Sequence, residues 1–356
     1  MLYTINNQEI KGNSTSRICG LDLIRVVAIF FVIAGHFFVL NTSYRDVRFV
    51  GISMFIQTMM YSVFVVGVPL FMMLTGYLNI HKTPTVKYYK GMLRVLVAYL
   101  FFSLVTIAFR KYYLGEELSL VQWVLKIFDY SAIPYAWYIE MWIGLALLTP
   151  FLNYLYRAIP TMKQKLLLLA TLFVMSSVPD LCNRYGMYLM PGYFAQACYP
   201  LMFYFMGAFI REYQPTIKSW VGWSVILGMA LVTPVVNGVV FRGGRDTVLF
   251  AGGSGGVFFT WIAVAIFLML YRRDISVPSI KKWVTHCSMV SLEMYLCCYM
   301  FDALYYPYFK EHFFVSQSQF LPWFFVIVPL CFFSAYGVGV LYNAVRSLVN
   351  RVFSAG

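Results

Sequence analysis

Arg25 and His36 lie eleven residues apart inside one apolar stretch, Gly20 to Phe38. An ionisable side chain in a membrane span is costly and marks a candidate functional site. Eleven helical steps return to within about 20° of the starting direction, so the two side chains share a face, about 16 Å apart along the axis. A neutral imidazole can take a proton from a hydroxyl as that oxygen attacks a carbonyl carbon, then pass it to the leaving group. It can also carry an acyl group covalently. A planar guanidinium suits a phosphate or a carbonyl. Asp22, three residues before Arg25, is placed to pair with it. The plain alternative is structural: a histidine hydrogen-bonded between helices and an arginine snorkelling at a helix start.

Other residues could complete a site. Lys82, Lys87, Lys90 and Arg94 cluster with Tyr88 and Tyr89 after the second apolar stretch. Lys87, Lys90 and Arg94 are the candidates for holding a polyanionic cofactor, against ordinary positive-inside anchoring. Glu140, Glu293 and Asp302 are further acids within apolar surroundings. A buried carboxylate needs a partner or a proton, and Glu140 or Glu293 could line an acceptor cavity or hold His36. Tyr295 joins these two as an acceptor-side candidate. No metal-ligand spacing appears among the seven cysteines, and no disulfide framework is expected.

The elements that must position these groups are membrane helices. The chain has 356 residues, 61% hydrophobic and 12% charged, about half the charge of a soluble domain. Its apolar residues fall in runs near the length that crosses a bilayer, and a β-barrel would show short alternating segments instead. The pattern predicts an all-α polytopic protein of about ten spans, near 21–40, 52–78, 93–113, 134–156, 165–178, 193–211, 219–240, 253–271, 284–303 and 321–345. Pro179 should bound the short fifth span. The stretch from Ser119 to Ser131 reads as an amphipathic interfacial segment. The first run lacks a small-residue cleavage pattern and reads as a retained helix rather than a signal peptide.

With the N-terminus in the cytoplasm, 18 of the 27 Lys and Arg residues fall inside and nine outside. This predicts both termini inside, a tail over 1–20, one membrane domain over 21–345 and a tail over 346–356. It also accounts for most of the +13 net charge without nucleic acid as a partner.

These residues resemble acyltransferase family 3, the integral-membrane O-acyltransferases. Leu21-Asp22-Leu23-Ile24-Arg25 followed by His36 resembles the family's first-span signature. Val68-Pro69-Leu70-Phe71-Met72-Met73-Leu74-Thr75-Gly76-Tyr77-Leu78 resembles its second span, with Thr75 where serine is usual. Trp137-Tyr138 with Gly144 to Pro150, Phe205-Met206-Gly207, and Ser291-Leu292-Glu293-Met294-Tyr295-Leu296 resemble later blocks. Two positions depart from the pattern. Cys298 stands where many relatives have histidine. Gly91 stands at the first place of a basic pair whose second place is Arg94, with Lys90 beside it.

The resemblance implies transfer of an acyl group, usually acetyl, from acyl-coenzyme A to a hydroxyl of a surface polysaccharide or lipid-linked glycan. It implies a cell-membrane location, no tightly bound cofactor and no metal. His36 would be base or acyl carrier, and Arg25 would contact the donor or orient His36. The residues alone leave a second class open: a transporter using the Arg25/His36 pair for binding or proton coupling.

Overall fold

The computed structural model describes residues 18–39, 51–183, 190–240, 255–314, 316 and 319–354. Helix is the only regular structure among them. In chain order the helices are α1 (Cys19–Val39), α2 (Gly51–Phe64), α3 (Gly67–Asn79), α4 (Val86–Tyr112), α5 (Leu120–Phe128), α6 (Trp137–Ala158), α7 (Met162–Ser176), α8 (Val178–Cys182), α9 (Ala195–Tyr213), α10 (Ser219–Val240), α11 (Val257–Leu270), α12 (Pro278–Met289), α13 (Ser291–His312) and α14 (Phe324–Ser354). A helix occupies each of the ten predicted segments, and the amphipathic stretch becomes α5. Its start is fixed by a reciprocal Ser119/Gln122 capping box.

Among the described residues, four segments are long and apolar enough to cross a membrane: α1, α2 with α3, α4, and α14 with its leading turn. A fifth is the pair α12 and α13, if read as one span bent by 73°. The sequence pattern treats 284–303 as one straight helix, but the helix breaks at Val290, where the backbone leaves helical geometry. The fifth predicted span also ends differently. α7 stops at Ser176, and Pro179 lies within the short α8, where a proline in a first turn loses no intrahelical bond.

α1 is the central element. It packs against α2, α3, α11, α12, α13 and α14. Its most apolar window is 67% buried, against 33% for α4 and 39% for α14. The two less buried helices turn Leu100, Phe101, Leu104, Phe325 and Phe333 outward, the surface a bilayer would cover.

Between helices of similar polarity to lipid, association depends on close packing, and small residues permit it. α3 and α9 show this most clearly. A Cβ on Gly76 would lie 1.8 Å from the Tyr204 carbonyl oxygen, and one on Gly207 would lie 1.9 Å from that of Met73. The two backbones touch at a reciprocal glycine crossing, which holds α3 in place for the cavity it lines.

Gly207→Ala should therefore force α3 and α9 apart and destabilise the fold by at least the ~1–3 kcal/mol typical of overpacking. Gly228→Ala is the control, because no atom lies within 4 Å of its Cβ position. Thermal melting in detergent should show a clear loss for the first variant and little change for the second.

Candidate active site

α1 and α13 run side by side in the same direction, and their shared face carries the site. At one end Arg25 Nη1 donates to Asp22 Oδ1 at 3.0 Å, and Ser288 Oγ donates to the same oxygen at 2.8 Å. Asp22 is buried, and Arg25 keeps 28% of its side chain exposed. The bend at Val290 brings Ser288 to Asp22 while sending α13 on toward His36. At the far end His36 Nδ1 lies 3.2 Å from Asp302 Oδ2. The Tyr135 hydroxyl donates to the same Asp302 oxygen at 3.0 Å, and its ring lies 4.0 Å from the His36 ring. Cys298 Sγ is 3.9 Å from His36 Nδ1.

The carboxylate at Nδ1 selects the tautomer with the proton on that nitrogen, so Nε2 carries the basic lone pair. Asp302 also stabilises the imidazolium that forms when Nε2 accepts a proton, as the orienting acid of a Ser-His-Asp triad does. The arrangement suits general-base activation of a hydroxyl.

Tyr135 comes from the segment before α6, which Arg110 fixes. Its guanidinium pairs with Glu116 at 2.6 and 2.7 Å and donates to the carbonyls of Ser131 and Ala132 at 2.8 and 3.0 Å. Tyr99 donates to the Ile127 carbonyl at 2.7 Å, tying α5 to α4. The Tyr295 hydroxyl closes the arrangement by donating to the carbonyl of Tyr135.

Beside Arg25 lies a cavity of about 260 Å³, between α1, α3, α4, α6 and α13. Arg25, Thr75, Asn79, Trp142 and Ser291 line its shallow part, and Val32, Val68, Phe71, Tyr138 and Tyr295 its inner part. A second cavity of about 480 Å³ adjoins it and shares Thr75, Asn79, Val95 and Trp142. Its mouth is basic, lined by His81, Lys82 and Lys87 with Thr83, Thr85 and Tyr88. The two form one groove from the α3–α4 loop to Tyr295.

The mouth is held by partners for otherwise unpaired backbone groups. Asn153 is buried. It donates to the carbonyls of Asn79 and Lys82, both at 2.7 Å, and accepts from Tyr204 at 2.6 Å. It thereby satisfies the end of α3 and shapes the turn into α4. Pro150 removes the bond that the Ala146 carbonyl would otherwise accept, and the Tyr88 hydroxyl donates to that carbonyl at 2.7 Å.

The structure brings Asp22, Arg25, His36, Lys87 and Tyr295 to this groove or its inner end, and separates others from it. Lys90 is exposed and outside the lining. Arg94, 56% exposed, lies 3.8 Å from Glu293, as does Arg346. Glu293 is thus paired with cations at the Arg25 end of α13, rather than on the side where an acceptor was expected. Its place three residues after Val290 puts it there. Glu140 is exposed in the first turn of α6, away from the cavity and from His36, where a negative charge suits the helix dipole. The acid that holds His36 is Asp302. One helical signal was readable: Ser291, Tyr295, Cys298 and Asp302 recur at i, i+4, i+7 and i+11, one face of α13. Tyr135, Asn153 and Arg110 carried no comparable pattern.

Arg110→Met removes the buried member of a part-buried pair and leaves Glu116 and two carbonyls without their donor. The expected cost is about 1–3 kcal/mol. Hydrogen exchange should show faster opening across residues 116–136, with smaller changes in α1 and α9.

Comparison with known proteins gives one result that bears on function. No curated protein and no solved structure matches the chain. The profile of the acyltransferase 3 family, described as an acyltransferase domain, matches residues 19–341. That range takes in α1 with Asp22, Arg25 and His36, the groove-lining helices and the Asp302 end of α13. The chain belongs to the acyltransferase 3 family and is a membrane acyltransferase.

Proposed function

We propose that this enzyme moves a short acyl group, acetyl in the first instance, from acyl-coenzyme A to a hydroxyl of a surface polysaccharide or lipid-linked glycan. The observation that carries the reading is the continuous groove from a basic mouth to the inner end of the α1/α13 face, with the His36–Asp302 pair one helical turn beyond Val32. A coenzyme A thioester is a polyanion with a long flexible arm. Its phosphates fit the Lys82, Lys87 and His81 mouth, its arm fits the neck at Thr75, Asn79 and Trp142, and its thioester then lies near Arg25 and Tyr295.

In this reading His36 Nε2 takes the proton of the acceptor hydroxyl as that oxygen bonds to the thioester carbonyl carbon. The carbon–sulfur bond breaks, and the proton passes to the coenzyme A thiolate. Tyr138 and Tyr295 stand between the cavity and His36. Tyr295 is anchored to Tyr135, whereas the Tyr138 hydroxyl makes no hydrogen bond among the described residues. Tyr138 is the ring that swings aside. The enzyme sits in the cell membrane of a bacterium with ten spans and both termini in the cytoplasm. The basic loop then faces the coenzyme A pool, and the His36 end faces outward.

Purified protein in lipid nanodiscs, given radiolabelled acetyl-coenzyme A, should release free thiol and label a glycan acceptor. His36→Ala should lower kcat by at least about a hundredfold, and Asp302→Asn by at least about tenfold. Replacing Lys82 and Lys87 together with Ala should raise the KM for the donor and spare kcat. Turnover that survives His36→Ala overturns the assignment. Mass spectrometry of surface glycans from cells carrying wild-type or His36→Ala protein identifies the acceptor. A fluorescent-protein fusion at Gly356 should glow in cells, and an alkaline phosphatase fusion there should be inactive, if the C-terminus is cytoplasmic.

A further inference from the structure

We propose that Phe71, with Val32 and Val68, sets the length of the acyl chain that this enzyme accepts; the inference rests on acyl-coenzyme A being the donor. One face of α3 lines the inner cavity with Val68, Phe71, Leu74, Thr75, Leu78 and Asn79, the i, i+3, i+7 rhythm of a single helical stripe. The stripe is graded. Asn79 and Thr75 also belong to the basic outer groove, whereas Val68 and Phe71 belong to the inner cavity alone. α1 gives the same depth order, because Val32 lies seven residues, about 10 Å, beyond Arg25 along the axis. The far end of the cavity is therefore aliphatic and aromatic, and the near end is polar.

That far end is packed on the side of Val32 and Tyr295. Val32 packs against the Gly67 backbone, where an added Cβ would lie 2.9 Å from the Val32 side chain. The Phe71 ring lies 6.1 Å from that of Tyr138, which lies 5.6 Å from that of Tyr295. Tyr295 is hydrogen-bonded to the Tyr135 carbonyl. A thioester placed beside Arg25 and Tyr295 directs its acyl tail against Val32, Val68 and Phe71. Phe71 is the partly exposed member of the three and the largest, so its ring occupies the space that extra methylenes would need. An apolar pocket discriminates by roughly 10–200-fold per methylene.

The test compares kcat/KM for acetyl-, butyryl- and hexanoyl-coenzyme A in wild-type protein, Phe71→Ala, Phe71→Leu and the lipid-facing control Phe101→Ala. Phe71→Ala should raise the hexanoyl-to-acetyl ratio at least about tenfold. Phe71→Leu, the milder change if alanine impairs folding, should raise the butyryl-to-acetyl ratio by a smaller factor. Phe101→Ala should leave the profile as in wild type. Active, monodisperse Phe71 variants with the wild-type chain-length profile overturn the length gauge and leave acyl transfer standing. Wild-type protein that turns over no acyl-coenzyme A of any length overturns both.

Discussion

The site depends on two buried aspartates: Asp22 joins α1 to the end of α12, and Asp302 joins α13 to α1. A carboxylate removed from water is tolerated when its lone pairs are met within the protein. Asp22 Oδ1 is met by Arg25 and Ser288, and Asp302 Oδ2 by His36 and Tyr135. The two aspartates hold the two arms of the bent α12–α13 pair to one helix. Sliding α13 along α1 by one turn would take Asp302 from His36 and pull on the Ser288–Asp22 contact through the bend. One register of α13 on α1 is therefore preferred.

The rest of the molecule extends the same rule to backbone groups. Pro150 leaves a carbonyl for Tyr88 to meet, the end of α3 leaves carbonyls for Asn153, and the segment before α6 leaves carbonyls for Arg110 and Tyr295. In surroundings with little water each unmet group costs several kcal/mol. The groups that meet them come from distant parts of the chain and fix the shape of the groove. Glu293 departs from it: among the described residues its buried carboxylate makes no hydrogen bond and is faced by the charges of Arg94 and Arg346, each 3.8 Å away, from α4 and α14.

Much of this was legible in the sequence, for particular reasons. Asp22, Arg25 and His36 lie on one helix, so their spacing states their geometry directly. The apolar runs located the helices because hydropathy is a property of short stretches. The partner of His36 was not legible in the same way. Asp302, Glu140 and Glu293 are each a single acid in an apolar run, and only the packing of α13 against α1 separates them. Arg94 reads as a donor contact by its place after the second apolar run, yet it lies by Glu293 because of the bend at Val290. Tyr135 and Asn153 act through contacts across 167 and 51–74 positions of chain, and no local pattern records such contacts.

The aromatic wall at the inner end of the groove has a consequence for the membrane itself. A basic groove that begins beside one end of α1 and points toward a histidine near the other end has part of the outline of a pore. The cavity ends at Tyr138 and Tyr295, and Tyr135 covers the His36 ring behind them. The rings therefore separate the His36–Asp302 pair from the groove. Among the described residues these rings interrupt the line from the basic mouth to His36, so a proton following that line would have to pass an aromatic barrier.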